Sequence, residues 1–385
     1  MARAIVTAEP ESVALADVQL PPLGEGQLRL RTRCTLLSTG TETTILHRRF
    51  AAGTHWARMF ARPRPLGYSC VAEVTEVADG AGSAGSSDSG GGGGTFGPGR
   101  GSAFARGDRV VAQLAHASEH VVDAARCTPI PDEVSDQDAA WFALAKVAYV
   151  AADVSGAGLG TRTLVVGGGP VGQMAIRWLA AQGAYVVTAE RRTTIRTALA
   201  RAGGAAEVRR TDQLPGLAAA PERLSESEPE APGSGSSRSG SGGSGPGGSG
   251  LDGSGLGGSD RRGSTEFEVV VDATGNPAAF SGALRVASDH GRVVVLGDVG
   301  DPSEQRLTSD LITRGLSVVG AHGNHVRGER EHQVRRLFFR LVSNGRFPMA
   351  GLVTHRFAPE QCAEAYALVE HDRANSLGVL FDWRS

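Results

Sequence analysis

Cysteine is scarce in this sequence. The four that occur, Cys34, Cys70, Cys127 and Cys362, stand far apart, with no Cys-x-x-Cys pair. That spacing argues against a disulfide framework and against a structural zinc lobe. Long apolar runs are missing too: no stretch approaches the roughly 20 residues a membrane-spanning helix needs. The opening Met1-Ala2-Arg3-Ala4-Ile5-Val6 runs straight into strand-like sequence without the apolar core of a signal peptide, so a cytoplasmic protein is expected. Nor does one sign of charge dominate. A formal net charge of −2 leaves no electrostatic footprint for nucleic acid or for an anionic membrane, and neither is expected as a partner.

What is present suits a globular protein of two domains: 385 residues, 40% of them hydrophobic. Many of the 54 glycines are concentrated in two Gly-Ser-rich tracts, 79–106 and 221–264. Such composition buries too little apolar surface to offset the entropy of ordering, so both read as flexible insertions. Residues 1–137 read as a β-rich domain, with paired strands over Val13 to Leu30, Cys70 to Val77 and Arg109 to Gln113. Helical periodicity then covers Asp136 to Val154. Strands at Thr163 to Val166, Ala184 to Ala189, Glu268 to Asp272, Arg292 to Leu296 and Leu316 to Val319 follow, interleaved with helices at Pro170 to Ala181 and Thr194 to Ala202. The alternation predicts an α/β fold, a doubly wound parallel sheet over 138–323. Residues 324–385, with helices at Glu329 to Ser343 and Pro359 to Val369 and strands at Val353 to Phe357 and Gly378 to Phe381, are expected to return to the first domain.

The strongest motif is Val165-Val166-Gly167-Gly168-Gly169-Pro170-Val171-Gly172, placed after a predicted strand and opening a predicted helix. In that context Gly167 allows the tight turn, Gly169 lets a pyrophosphate approach the backbone, and Gly172 lets the helix pack on the strand. Pro170 and Val171 open the helix whose free N–H groups would hold the diphosphate. The structural alternative is a glycine turn with no ligand. Glu190 ends the next strand, about 20 residues on, where a carboxylate binds the adenosine ribose hydroxyls. That favours NAD over NADP. Arg191 and Arg192 follow, and they suit either a 2′-phosphate or a solvated turn. Thr274, Gly275 and Gly297 end later strands and are expected to line the nicotinamide half.

Several short runs now fall into one order: Ser38-Thr39-Gly40-Thr41-Glu42, Pro65-Leu66-Gly67-Tyr68-Ser69, Gly107-Asp108-Arg109-Val110, the glycine fingerprint, and Val353-Thr354-His355-Arg356-Phe357. In that order the chain resembles the medium-chain dehydrogenase/reductase superfamily. The resemblance implies a GroES-like β-rich catalytic domain around a central Rossmann domain, alcohol dehydrogenase-like activity and a nicotinamide cofactor. The zinc ligands of such enzymes are replaced. Thr39 stands where the first cysteine belongs, Gly67-Tyr68-Ser69 replaces a Gly-His-Glu run, and Phe142 to Lys146 holds no third ligand. Threonine and tyrosine do not substitute for cysteine and histidine as zinc ligands, so no metal is expected. The first two runs are most similar to a zinc-free branch that includes bacteriochlorophyllide a dehydrogenase and other sugar- and natural-product-tailoring dehydrogenases.

Without zinc, side chains must supply the hydrogen bond and proton route for an alcohol–ketone interconversion. Tyr68 and Lys146 are the candidates, the lysine lowering the tyrosine pKa or stabilising an oxyanion. Thr41 aligns with the hydroxyl that relays protons in zinc relatives. Each has a structural alternative: Tyr68 as a core residue, Lys146 snorkelling to solvent, Thr41 as a turn cap. Glu42 reads as holding a supporting salt bridge, and His47 and His355 as structural. The leading reading is a zinc-independent NAD(P)-dependent oxidoreductase acting on a small-molecule alcohol or ketone, as a homodimer. The alternatives are a quinone or enone reductase, in which hydride adds to carbon, and a catalytically inactive nucleotide-binding protein of the same fold.

Overall fold

The computed structural model describes residues 1–8, 11–59, 64–81, 104–192, 194–217, 267–298 and 300–384. Most of both Gly-Ser tracts, and with them the expectation of flexible insertions, lies outside these residues. Among the described residues no helix is long and apolar enough to cross a membrane.

Strands β1 (Ala2–Ala8) and β2 (Ser12–Val18) form an antiparallel hairpin. β3 (Gln27–Leu37) is the spine of the first large sheet. It buries Leu28, Leu30 and Thr32 in alternation, then is buried without interruption from Cys34 to Leu37, where neighbours cover both faces. It leads into α1 (Thr39–Leu46) and the short α2 (His55–Met59). β4 (Cys70–Val77), β5 (Arg109–Ala112), β6 (Glu119–Asp123) and β7 (Thr128–Pro129) complete this part of the sheet.

The helix expected over Asp136 to Val154 is two: α3 (Asp136–Ala139) and α4 (Phe142–Ser155). The interruption coincides with two tertiary contacts. Asp136 binds Arg33 at 2.7 Å and Arg109 at 2.9 Å, and the Ala140 carbonyl accepts a hydrogen bond from the Ser69 hydroxyl.

The second sheet is parallel throughout. It comprises β8 (Arg162–Val166), β9 (Tyr185–Glu190), β10 (Glu207–Arg210), β11 (Phe267–Asp272), β12 (Ala287–Val295) and β13 (Ser317–Gly320), in the order β10-β9-β8-β11-β12-β13. Its central strands β8 and β11 are buried along almost their whole length, as helices on both faces require. The helices are α5 (Pro170–Ala181), α6 (Ile195–Ala202), α7 (Pro277–Val286) and the short α8 (Asp310–Thr313). This is the doubly wound dinucleotide-binding topology, and strand order reverses between β8 and β11.

The chain then forms α9 (Gly328–Ser343), β14 (Val353–Phe357), α10 (Cys362–His371) and β15 (Gly378–Asp382). β15 pairs antiparallel with β3, so the C-terminal segment completes the first sheet. One apolar core joins the two sheets. Cys34, Leu36 and Val71 pack with Trp141 just before α4, Phe142 of α4, Trp178 of α5 and Phe338 of α9. Trp178 fixes α5 to α4 through a 2.8 Å hydrogen bond from its indole to the Ala145 carbonyl.

At the reversal point the β8–α5 turn is shaped by backbone. Gly167 has φ +91°, the left-handed region that glycine occupies without strain. A Cβ on Gly172 would run into the Gly167 carbonyl, whereas one on Gly169 would meet nothing within 4 Å. Gly172→Ala is therefore expected to lower stability by about 1–3 kcal/mol through overpacking. Gly169→Ala, at a helix N-cap with ordinary φ, is expected to stay within about 1 kcal/mol of wild type. Urea unfolding of the two variants measures the contrast; equal losses would show that the helix does not rest on this glycine.

Candidate functional site

One group of polar side chains lies at the C-terminal edge of the parallel sheet, and a second lies at the end of β3. The first surrounds the glycine turn. α5 begins at Pro170 with no side-chain cap, so the first N–H groups of the helix are left for a ligand. Glu190, at the end of β9, folds back over Gly168 and accepts that residue's backbone N–H. Its Oε1 is buried and has no hydrogen-bond partner. Burial pushes its carboxyl up to about 7, against the opposing pull of Arg196 and the Gly168 N–H.

Beyond Glu190 lies a cleft of about 200 Å³ lined by Arg192, Thr197, Arg209 and Arg210 among others. Arg191 is exposed and is not part of its wall, so of the two neighbouring arginines it is Arg192 that faces this space. Across the turn, Asp272 ends β11. One carboxylate oxygen takes the backbone N–H of Thr274 at 2.9 Å and its hydroxyl at 2.6 Å, while the other is buried without a partner. Burial raises this carboxyl to about 6. Thr274 packs on Gly167, and the backbones of Gly275 and Gly297 touch. The structure thus brings Gly167, Gly169, Pro170, Val171, Gly172, Glu190, Thr274, Gly275 and Gly297 around one groove. The residues fit a dinucleotide: a helix end with free donors, a turn open above Gly169 and an orphaned carboxylate oxygen where a ribose would lie.

The second group sits where β3 turns into α1. Ser38 Oγ and the Tyr68 hydroxyl are 2.6 Å apart, and Thr41 also hydrogen-bonds Tyr68. Burial raises the Tyr68 phenol above its ordinary range, and these hydroxyl contacts only partly offset it. Below them Glu42 is wholly buried. Its Oε1 accepts the Ser38 N–H at 2.7 Å, and its Oε2 lies 3.0 Å from His116 Nε2 and 2.5 Å from the Tyr366 hydroxyl.

Lys146 departs from expectation. It neither snorkels nor meets Tyr68: its side chain is about 5% exposed, its ammonium donates to Gln113 Oε1 at 2.8 Å, and it pairs with Glu331 of α9 at 3.2 Å. No cation offsets the burial of Tyr68, so the expected lowering of the tyrosine pKa gives way to a rise. The cause is α9, whose Glu331 draws the lysine away. His47, between Glu11 and Glu370, and His355, beside Thr354, are held in peripheral pairs as expected.

Other residues of the two groups went unread in the sequence. Ser38 was quoted only as part of a motif. Arg196 lies near Glu190, and Arg373 in turn adds its charge to the surroundings of Arg196. His116 and Tyr366 complete the Glu42 node. A basic residue in the first turn of α6 was a weak pointer to Arg196; nothing local marked the others.

Among the described residues no three His, Cys, Asp or Glu side chains converge as metal ligands. Ser69 is committed to the Ala140 carbonyl, and the Thr39 carbonyl accepts the Thr43 hydroxyl. The donor set that is present does not fit zinc.

Known proteins agree with this architecture. Residues 170–340 match the family described as zinc-binding dehydrogenase. The 5-exo-hydroxycamphor dehydrogenase of Pseudomonas putida is 28% identical over 214 residues, 55% of this chain and 48% of that protein, so the chain spans about half the length of this curated relative. Two solved structures share the whole fold at 99% coverage of both chains. One is galactitol-1-phosphate dehydrogenase from Escherichia coli, with TM-score 0.69 and 16% identity. The other is an alcohol dehydrogenase from Escherichia coli CFT073 complexed with NADH, with TM-score 0.68 and 18% identity. At such identities they speak for the fold alone. Ordered motifs, family match and fold point the same way: residues 170–340 match the zinc-binding dehydrogenase domain, and the whole chain is similar to the medium-chain dehydrogenase/reductase superfamily.

Proposed function

We propose that this protein transfers hydride between a nicotinamide dinucleotide and an alcohol or ketone, without zinc. The observation that carries the reading is the 2.6 Å Ser38–Tyr68 hydroxyl pair, held where zinc relatives keep a metal ligand. A nicotinamide cofactor bound in the groove would donate or accept the hydride. Tyr68 then does what a metal does elsewhere: as a neutral phenol it donates a hydrogen bond to the substrate oxygen and passes its proton as charge develops there. Ser38 and Thr41 orient that phenol. The raised phenol pKa keeps it a donor across the physiological range. Lys146 acts from a distance, bracing α4 against α9.

The cofactor reading favours NAD. Ribose hydroxyls donating to Glu190 would satisfy its orphaned oxygen, whereas a 2′-phosphate would meet a carboxylate there. Arg209 and Arg210 beside it are engaged with Glu207 and Asp212. A second copy of the chain is the expected partner. The outer edge of β13 pairs with no strand among the described residues, and Val318 and Ile312 are exposed nearby. Sedimentation equilibrium is expected to give twice the chain mass; a monomer at micromolar concentration overturns this.

Ribose hydroxyls bind the ionised carboxylate, and without cofactor the Glu190 carboxyl titrates at about 7. NAD affinity is therefore expected to fall as pH drops below 7 and to level off above about 8. Glu190→Gln should flatten the profile, as calorimetry between pH 5.5 and 8.5 would show. A flat wild-type profile would remove Glu190 from the ribose site.

The metal and proton steps are tested together on a panel of secondary alcohols and ketones. Chelator-dialysed protein is expected to keep its turnover and to hold no stoichiometric zinc. Tyr68→Phe should lower kcat on the order of 100-fold with little change in cofactor affinity. Lys146→Met should instead leave kcat nearly intact and lower stability by about 1–3 kcal/mol. One tightly held zinc per chain defeats the metal-free reading. Near-normal turnover in Tyr68→Phe would favour quinone or enone reduction, where hydride goes to carbon.

A further inference from the structure

A second cleft, of about 270 Å³, opens between α2 and the loop after β12, and is lined by His55, Trp56, Arg58, Asp298 and Gly300 among others. Asp298 follows Gly297, and its carbonyl lies against Gly275, so this cleft continues the groove at the ends of β11 and β12. Its electrostatics are lopsided. Between Glu42 and Glu73 the chain has five arginines, two histidines and no acidic residue. From the facing loop after β13 come His322 and His325, with ring centroids 6.3 Å apart, and His322 lies 6.3 Å from His55.

Of the residues that line the cleft, Asp298 alone is acidic, and its Oδ2 is 3.4 Å from His55 Nε2. It faces the His55 ring and forms no ion pair with the Arg58 guanidinium. Arg58 gives one N–H to the Gly53 carbonyl at 3.0 Å and has four further N–H groups. His322 shows the crowding. Burial, then His55, His325 and Lys146, hold its pKa below the ordinary value, with Asp298 alone pulling the other way. A bound anion would relieve that repulsion, and the buried Trp56 beside it supplies an apolar wall.

We infer that this cleft binds an anionic substituent, carboxylate or phosphate, of the substrate, through Arg58, His55 and the His322–His325 pair. The inference rests on the hydride-transfer reading for the identity of the ligand as substrate. The site itself is independent of that reading.

Two measurements separate these layers. In the first, inorganic phosphate is titrated into NADH-saturated and NADH-free protein while histidine ring signals are followed by NMR. His55 and His322 are expected to shift saturably in both states. Arg58→Gln and His55→Gln should each weaken binding about tenfold. Absence of a saturable shift, or equal affinity in wild type and both variants, overturns the inference even if turnover is later found. In the second, kcat/KM is compared for hydroxy acids against their methyl esters, and for hydroxyalkyl phosphates against the parent diols. A preference of about tenfold for one acidic series, lost in Arg58→Gln, supports the inference and names the anion. Turnover without discrimination refutes it while leaving hydride transfer standing. No turnover of any compound counts against the hydride reading, and the phosphate titration then decides the anion site alone.

Discussion

The arrangement depends on one buried carboxylate. Glu42 is inaccessible to solvent and takes hydrogen bonds from the Ser38 backbone and the Tyr366 hydroxyl, with His116 Nε2 at 3.0 Å. Those partners come from the start of α1, the loop before β6 and α10, so a single side chain ties together segments up to 324 residues apart. A buried carboxyl is costly unless its oxygens are satisfied, and removing any partner would leave one of them unmatched in the core. The node is therefore most stable in one geometry. That geometry presents Ser38 to Tyr68. The Glu42 carboxyl lies beneath the Ser38–Tyr68 hydroxyl pair and fixes the Ser38 backbone from below.

The groove at the glycine turn is built differently. Its precision comes from what is missing, the Cβ atoms of Gly167, Gly168 and Gly172, which lets turn, strand and helix close on one another. The polar groups left over, Glu190 Oε1 and Asp272 Oδ2, are buried without partners. Orphaned acceptors are tolerated where a ligand completes them. One half of the site is thus complete as it stands and the other half is complete only with a ligand. That contrast fits a groove filled by a ligand that arrives and leaves.

Much of this was legible in the sequence, and the reason is locality. The glycine turn, Pro170, Glu190 and the strand ends at Thr274, Gly275 and Gly297 belong to a βαβ grammar written within short windows. Val353 to Phe357 and the helix at Glu329 to Ser343 also emerge close to where periodicity places them. β10 was not read because Glu207-Val208-Arg209-Arg210 is a short polar edge strand without apolar alternation. α7 was not read either, although Asn276 accepts the Ala278 and Ala279 N–H groups as a cap and Pro277 follows it. The break between α3 and α4 is set by Arg33, Ser69 and Arg109, which come from other strands and loops. The partners of Glu42, and the turning of Lys146 toward α9, are likewise long-range facts that no local pattern encodes.

Lys146 is the only lysine among 39 Lys and Arg residues, and its surroundings give a physical reason for the exception. The pocket under α9 already holds the guanidinium of Arg335, which lies over the Phe142 ring and pairs with Glu331. A second planar guanidinium would need room for five N–H donors where only Gln113 and Glu331 accept. An ammonium is compact, and its charge is not permanent: burial lowers the Lys146 pKa, with Glu331 opposing. The same position sends field toward His322, which feels Lys146 among its neighbours. A buried amine at this spot therefore serves the packing of α4 on α9 and adds to the positive potential at the mouth of the cleft, two tasks that one fixed arginine fork would satisfy less well.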